Sequence, residues 1–209
     1  VDLGAGTAID GFGDTDTLSN IERVQGTSQD DVLTGDANNN RLRGLAGNDT
    51  IDGGDGTFDE ADYSGDVFSG GTLGVNVNLA TGTAIDGFGD TDSLSNIETV
   101  RGSLFDDTLT GDSGNNFFRG LDGNDVIDGG AGFDRVDYDL DDNFEGFAGV
   151  TVDITGGSGT AIDGFGTTDT LTNIENVRGT DFGDTITVGT AGIRTEAEGR
   201  AGDDILTGT

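Results

Sequence analysis

The chain has 209 residues, 41 acidic against 9 basic side chains, 40 glycines, a formal net charge of −32, and no histidine, cysteine or proline. That composition excludes disulfides, thiol chemistry, the usual zinc sites and histidine-based acid–base catalysis, and the few scattered arginines do not make a nucleic-acid surface. With only 32% apolar residues, self-repulsion and a thin core leave such a chain unfolded unless a cation neutralises its carboxylates.

Aspartate dominates the acids and sits beside glycine, and short carboxylates in turns suit a hard, oxygen-seeking cation. A solvated acidic surface of the halophilic kind would explain the charge but not the spacing described below. No apolar run approaches a membrane span and no signal peptide opens the chain. Val1 is not a natural start and Gly208-Thr209 opens like another repeat, so the sequence reads as a piece of a longer protein.

Taken in order, the chain repeats itself. The phrase GTAIDGFGDTDTLSNIE starts at Gly6, returns at Gly82, and returns at Gly159 with Thr167 in place of an aspartate. Three modules follow, 1–76, 77–151 and 152–209. Each holds an alternating strand, clearest at Val75-Asn76-Val77-Asn78-Leu79, then a glycine- and aspartate-rich loop with Asp10, Asp14 and Asp16, with Asp86, Asp90 and Asp92, or with Asp163 and Asp169. These acids are read as turn residues that satisfy their own backbone, with an extra cation site as the alternative. Leu94, Ile97 and Val100, spaced by three, predict an irregular strand with a bend. Glu22, Glu98 and Glu175 recur in register and are read as hydrogen-bond acceptors.

A nonapeptide tract comes next in each module, at 26–63, 102–138 and 179–209. Glycine opens each unit, as at Gly26, Gly35, Gly44 and Gly53, and an apolar residue stands eighth, as at Leu33, Leu42 and Ile51. So much glycine forces the first six residues into a turn and leaves the last three as a short strand. The sixth positions carry Asp31, Asn40 and Asp49, with Asp59 displaced by one inserted residue; then Asp107, Asn116, Asp125 and Asp134; then Asp184 and Asp204. Two spacers, 64–74 and 139–149, hold Phe68, Phe144 and Phe147, expected to cover an open end of the stack.

GLAGNDTID at Gly44–Asp52, GLDGNDVID at Gly120–Asp128 and GGAGFDRVD at Gly129–Asp137 resemble the calcium-binding nonapeptide of the repeats-in-toxin, or hemolysin-type, family. The resemblance implies an all-β chain, with parallel β-roll (β-solenoid) tracts in three tandem modules joined by short linkers. Two nonapeptides would make one turn, so loops one and three stack on one side and loops two and four on the other. Calcium would sit between stacked loops, held by sixth-position aspartates and by carbonyls. The expected pairs are Asp31 with Asp49, Asp107 with Asp125, and Asp184 with Asp204. The other side would be weaker, because Asn40 and Asn116 face Asp59 and Asp134 and bring no charge.

The implied function is a Ca2+-binding, non-enzymatic β-roll segment of a secreted or cell-surface protein, folding after type I export and serving as a structural or adhesive repeat. The alternative is the non-catalytic calcium-binding part of a secreted hydrolase or polysaccharide-modifying enzyme. Besides calcium ions, a surface glycan or self-association along the repeat axis are the partners in view; nucleic acid and a membrane span are not.

Overall fold

The computed structural model describes residues 1–189 and 192–208; Thr209 and residues 190 and 191 of the third tract lie outside the described residues. The nonapeptides fold as their composition dictates. Strands such as Val32–Thr34, Arg41–Arg43 and Thr108–Thr110 are three residues long and bury only the middle side chain, while the glycine-rich remainder turns the chain through to the opposite sheet.

Alternate strands stack into two sheets. One has eight described strands, from Arg23–Gln25 to Glu196–Glu198, all parallel and all in sequence order. The other has twelve, from Val32–Thr34 to Ile205–Gly208. The difference comes from two antiparallel meanders, Asn76–Asn78 with Thr83–Ile85 and Thr91–Ser95, and Thr151–Thr155 with Ser158–Ile162 and Thr168–Thr172. Each meander joins the parallel stack through its outer strands: Thr91–Ser95 pairs with Thr50–Asp52, and Asn76–Asn78 pairs with Thr108–Thr110. The recurring phrase is thus a coil of the roll itself, and both sheets run without interruption past residues 76–77 and 151–152. At the N-terminus the same phrase makes a separate two-stranded sheet, Thr7–Ile9 with Thr15–Thr17, tied to the roll through a bridge between Asp2 and Thr34.

The bend predicted around Ile97 is the corner where the chain passes from the longer to the shorter sheet. Asn96 turns it at φ 52°, and Asn173 does the same at φ 53°; asparagine tolerates this left-handed backbone better than most side chains. Each then ties back through its amide, Asn96 to Asp52 at 2.7 Å and Asn173 to Asp128 at 2.8 Å.

A single apolar seam fills the space between the sheets, with Leu33, Leu42, Ile51, Val100, Leu109, Phe118, Ile127, Val136, Leu171 and Val177 all within its buried cluster. Outside, the two faces differ. Seven of the nine arginines lie on the eight-stranded sheet, where Asp62 receives Arg41 and Arg43, Glu60 receives Arg101 and Arg119, and Asp139 receives Arg119 and Arg178. The outer face of the twelve-stranded sheet is largely uncharged, carrying Thr50, Thr83, Thr108, Thr160 and Thr170 in exposed positions.

The spacers depart from expectation. They hold the helical turns, Asp66–Ser69 and the 3-10 segment Asp141–Phe144, so the chain is nearly all-β and not wholly so. They also cover no open end. Each sits between strands that are paired on both sides, and Phe68 and Phe147 point outward with 75% and 73% exposure. The spacers bury aspartate instead: Asp66 and Asp141 are each 1% exposed. No helix is long and apolar enough to cross a membrane among the described residues.

Candidate metal centres

The stacking places the sixth-position residues of successive coils above one another, and a hydrogen-bonded ladder results. On the side where the chain passes from the eight- to the twelve-stranded sheet, Asp31 N donates to Asp49 Oδ1 at 2.8 Å, and Asp49 N donates to Asp92 Oδ1 at 2.9 Å. The second module repeats this: Asp107 N to Asp125 Oδ1 at 2.9 Å and Asp125 N to Asp169 Oδ1 at 3.0 Å. Each run ends on a buried tyrosine, Tyr63 donating to Asp92 Oδ2 at 3.2 Å and Tyr138 to Asp169 Oδ2 at 2.9 Å. In the third tract Asp184 N donates to Asp204 Oδ1 at 3.0 Å. Every aspartate pair expected on this side is therefore brought together.

The return side carries a mixed ladder. Asn40 N donates to Asp59 Oδ1 at 2.7 Å and Asp59 N to Glu98 Oε2 at 3.1 Å; likewise Asn116 N to Asp134 Oδ1 at 2.7 Å and Asp134 N to Glu175 Oε2 at 3.0 Å. Glu98 and Glu175 are acceptors, as read from the sequence. They are also second carboxylates beside Asp59 and Asp134, so this side is less depleted of charge than Asn40 and Asn116 alone suggest.

Asp107 and Asp184 spend both oxygens within the protein, Asp107 on Val75 N and Ser103 N and Asp184 on Val150 N and Thr180 N, but four other carboxylates are only partly used. The Oδ2 atoms of Asp49, Asp59, Asp125 and Asp134 are buried and accept no hydrogen bond, although burying such an acceptor unpaired costs about 1–3 kcal/mol or more when it is charged. Glycine creates the room they look into. A Cβ at Gly44 would stand 2.0 Å from Asp49 Oδ2, and one at Gly120 1.9 Å from Asp125 Oδ2. Carbonyl oxygens crowd the same loops: a Cβ at Gly35 would meet Gly53 O at 2.0 Å, and one at Gly111 would meet Gly129 O at 2.2 Å. No three acidic groups gather to hold an ion by themselves among the described residues. The donor set is one or two carboxylates with backbone carbonyls, the all-oxygen mixture that calcium takes.

The acids are poised accordingly. Burial pushes the carboxyls of Asp49 and Asp134 up to about 6, and those of Asp92 and Asp169 to about 7. Asp107 and Asp125 are also raised, by burial first, with Asp107 the leading like charge on Asp125. Asp62, on the outer face, goes the other way: burial opposes ionisation, but Arg41 and Arg43 outweigh it and hold the carboxyl below its usual range.

Sequence reading placed the tract acids but overlooked Asp92 and Asp169 as rungs, and Tyr63 and Tyr138 as terminators. The recurrence of the aspartate before the last two residues of the DTDSL and TTDTL segments was the available signal. Asp10, Asp86 and Asp163 do satisfy their own loops. Asp10 accepts from Phe12 and Asp14, Asp86 from Phe88 and Asp90, and Asp163 from Phe165, Gly166 and Thr167. Asp16 and Glu22, the first-module counterparts of Asp92 and Glu98, are exposed.

No curated protein matches the chain. Residues 22–57 and 101–136 match the RTX calcium-binding nonapeptide repeat, whose family model spans four copies, and each matched stretch begins beside or within a ladder-side strand and covers the orphaned aspartate of the first side. Within residues 22–57 and 101–136, then, the chain carries the RTX calcium-binding nonapeptide repeat, built into a β-roll.

Proposed function

We propose that the segment is a calcium-dependent structural repeat of a secreted or cell-surface protein: unfolded where calcium is scarce, folded after export, and serving as a spacer or adhesive stalk without catalysis of its own. The orphaned, buried Oδ2 atoms of Asp49, Asp59, Asp125 and Asp134 carry this reading, since a fold that buries them is stable only if something positive meets them. Calcium supplies that charge when bound. Asp31 with Asp49, Asp107 with Asp125, and Asp184 with Asp204 would hold it on one side. Asp59 with Glu98 and Asp134 with Glu175 would hold it on the other, with Asn40 and Asn116 as neutral neighbours. Binding free energy then becomes folding free energy. Extracellular calcium modules bind at about 10⁻⁴–10⁻³ M, which keeps such a chain open inside a cell and closes it outside.

Circular dichroism with and without millimolar calcium tests this, together with a count of bound ions. A coil spectrum in chelator, a sheet spectrum in calcium and at least three ions per chain are expected. A sheet spectrum that survives chelation at neutral pH, or fewer than three ions at saturation, overturns it.

A further inference from the structure

In the first full meander the loop Asp86–Asp90 folds over the helical turn Asp66–Ser69. Asp66 is 1% and Asp86 0% exposed. One oxygen of each is used: Asp66 Oδ2 accepts Gly87 N at 3.0 Å, and Asp86 Oδ1 accepts Phe88 N at 2.9 Å and Asp90 N at 2.8 Å. The remaining oxygens, Asp66 Oδ1 and Asp86 Oδ2, are buried and accept no hydrogen bond. Arg43 lies against the same spacer, where a Cβ at Gly65 would meet its guanidinium at 2.5 Å, but that guanidinium is paired with Asp62. Asp90, at the end of the same loop, spends Oδ2 on Gly47 N at 3.0 Å and does not join the other two acids in a three-carboxylate cluster.

The next meander has the same backbone with one informative change. Asp141 takes the place of Asp66, accepting Gly164 N at 2.9 Å, and Asp163 takes the place of Asp86. Thr167 stands where Asp90 stood, and its hydroxyl donates to Asp163 Oδ2 at 2.5 Å. The oxygen left orphaned in Asp86 is therefore satisfied in Asp163. A buried carboxylate oxygen can be met by a donor or by a cation, and an ionised aspartate at position 90 offers only acceptors.

We propose that the Asp66–Asp86 corner binds a divalent cation, its shell completed by carbonyl and water oxygens, and that the Thr167 hydroxyl replaces that cation in the following meander. The proposal rests on the calcium-dependent reading of the tracts but assigns a site outside their nonapeptide loops, in the spacer and the meander.

Equilibrium dialysis at saturating calcium, on chains shown by circular dichroism to be folded, tests it with Asp90→Thr and Thr167→Asp. The first should hold one ion fewer than the parent chain and the second one more. Unchanged counts in both overturn the proposal and leave a shared proton as the group between Asp66 and Asp86. A check that needs no variant is a crystal of the parent chain with terbium in place of calcium. An anomalous peak between Asp66 and Asp86, with none at Asp163, is expected. Peaks in the nonapeptide loops without one at this corner overturn the site alone, and no peak anywhere overturns the calcium reading of the tracts as well.

Discussion

At the scale of single residues, the first-position glycines and sixth-position aspartates are one device, because the glycine leaves the space that the carboxylate oxygen faces. Gly120→Ala places a methyl 1.9 Å from Asp125 Oδ2 and should cost about 1–3 kcal/mol, the usual penalty of overpacking. Gly11→Ala, at a glycine with nothing within 4 Å, should stay within about 0.5 kcal/mol; urea midpoints in saturating calcium compare them. The raised carboxyls give a pH prediction with a definite sign. Burial pushes the carboxyls of Asp49 and Asp134 up to about 6 and those of Asp92 and Asp169 up to about 7, from an ordinary 3.8. Without metal, their contribution to stability is therefore fully present below about pH 4 and lost as pH rises through 6 to 7. In chelator the sheet signal should grow on acidification from pH 8 to pH 4. In calcium the ion requires the ionised form, so the same titration should weaken the fold; parallel dichroism titrations with opposite slopes check this.

At the scale of elements, the meander shows what was legible in sequence and what was not. The nonapeptide turn and strand were readable because glycine and the eighth-position apolar residue leave few alternatives, whereas the stacked pairs Asp31 with Asp49 and Asp107 with Asp125 came from the family resemblance, which implies two nonapeptides to a turn. The spacers were misread because an isolated phenylalanine says nothing about direction, whereas a buried aspartate such as Asp66 is visible only once Gly87 is seen to donate to it. Tyr63 stands at the end of the first tract, and its hydroxyl closes a ladder through Asp92. Tyr63→Phe strands Asp92 Oδ2 in the core and should lower stability by about 1–3 kcal/mol, read as a fall in thermal midpoint in calcium. On the outer face, Asp62 is 2% exposed and bound by Arg41 and Arg43. Asp62→Ala should cost about 3–5 kcal/mol, as breaking a buried pair does, with the bound calcium count unchanged.

At the scale of the whole molecule, charge and fold are divided between the sides of the coil: aspartate ladders along both edges, arginine pairs on one face, threonine on the other. The twelve-to-eight strand count also has a geometric consequence. Between Thr50–Asp52 and Thr108–Thr110 the longer sheet inserts three strands, while the shorter sheet inserts one, Thr99–Arg101, between Glu60–Asp62 and Phe117–Arg119. At about 4.8 Å per strand, one sheet outruns the other by about 10 Å at each meander. Since the sheets are joined coil by coil through short loops, the axis has to bend toward the shorter one, on the order of tens of degrees for layers about 10 Å apart. Small-angle scattering of the calcium-loaded chain should therefore fit an arc better than a straight rod, and an array of such repeats would have a curvature set by how often a meander recurs.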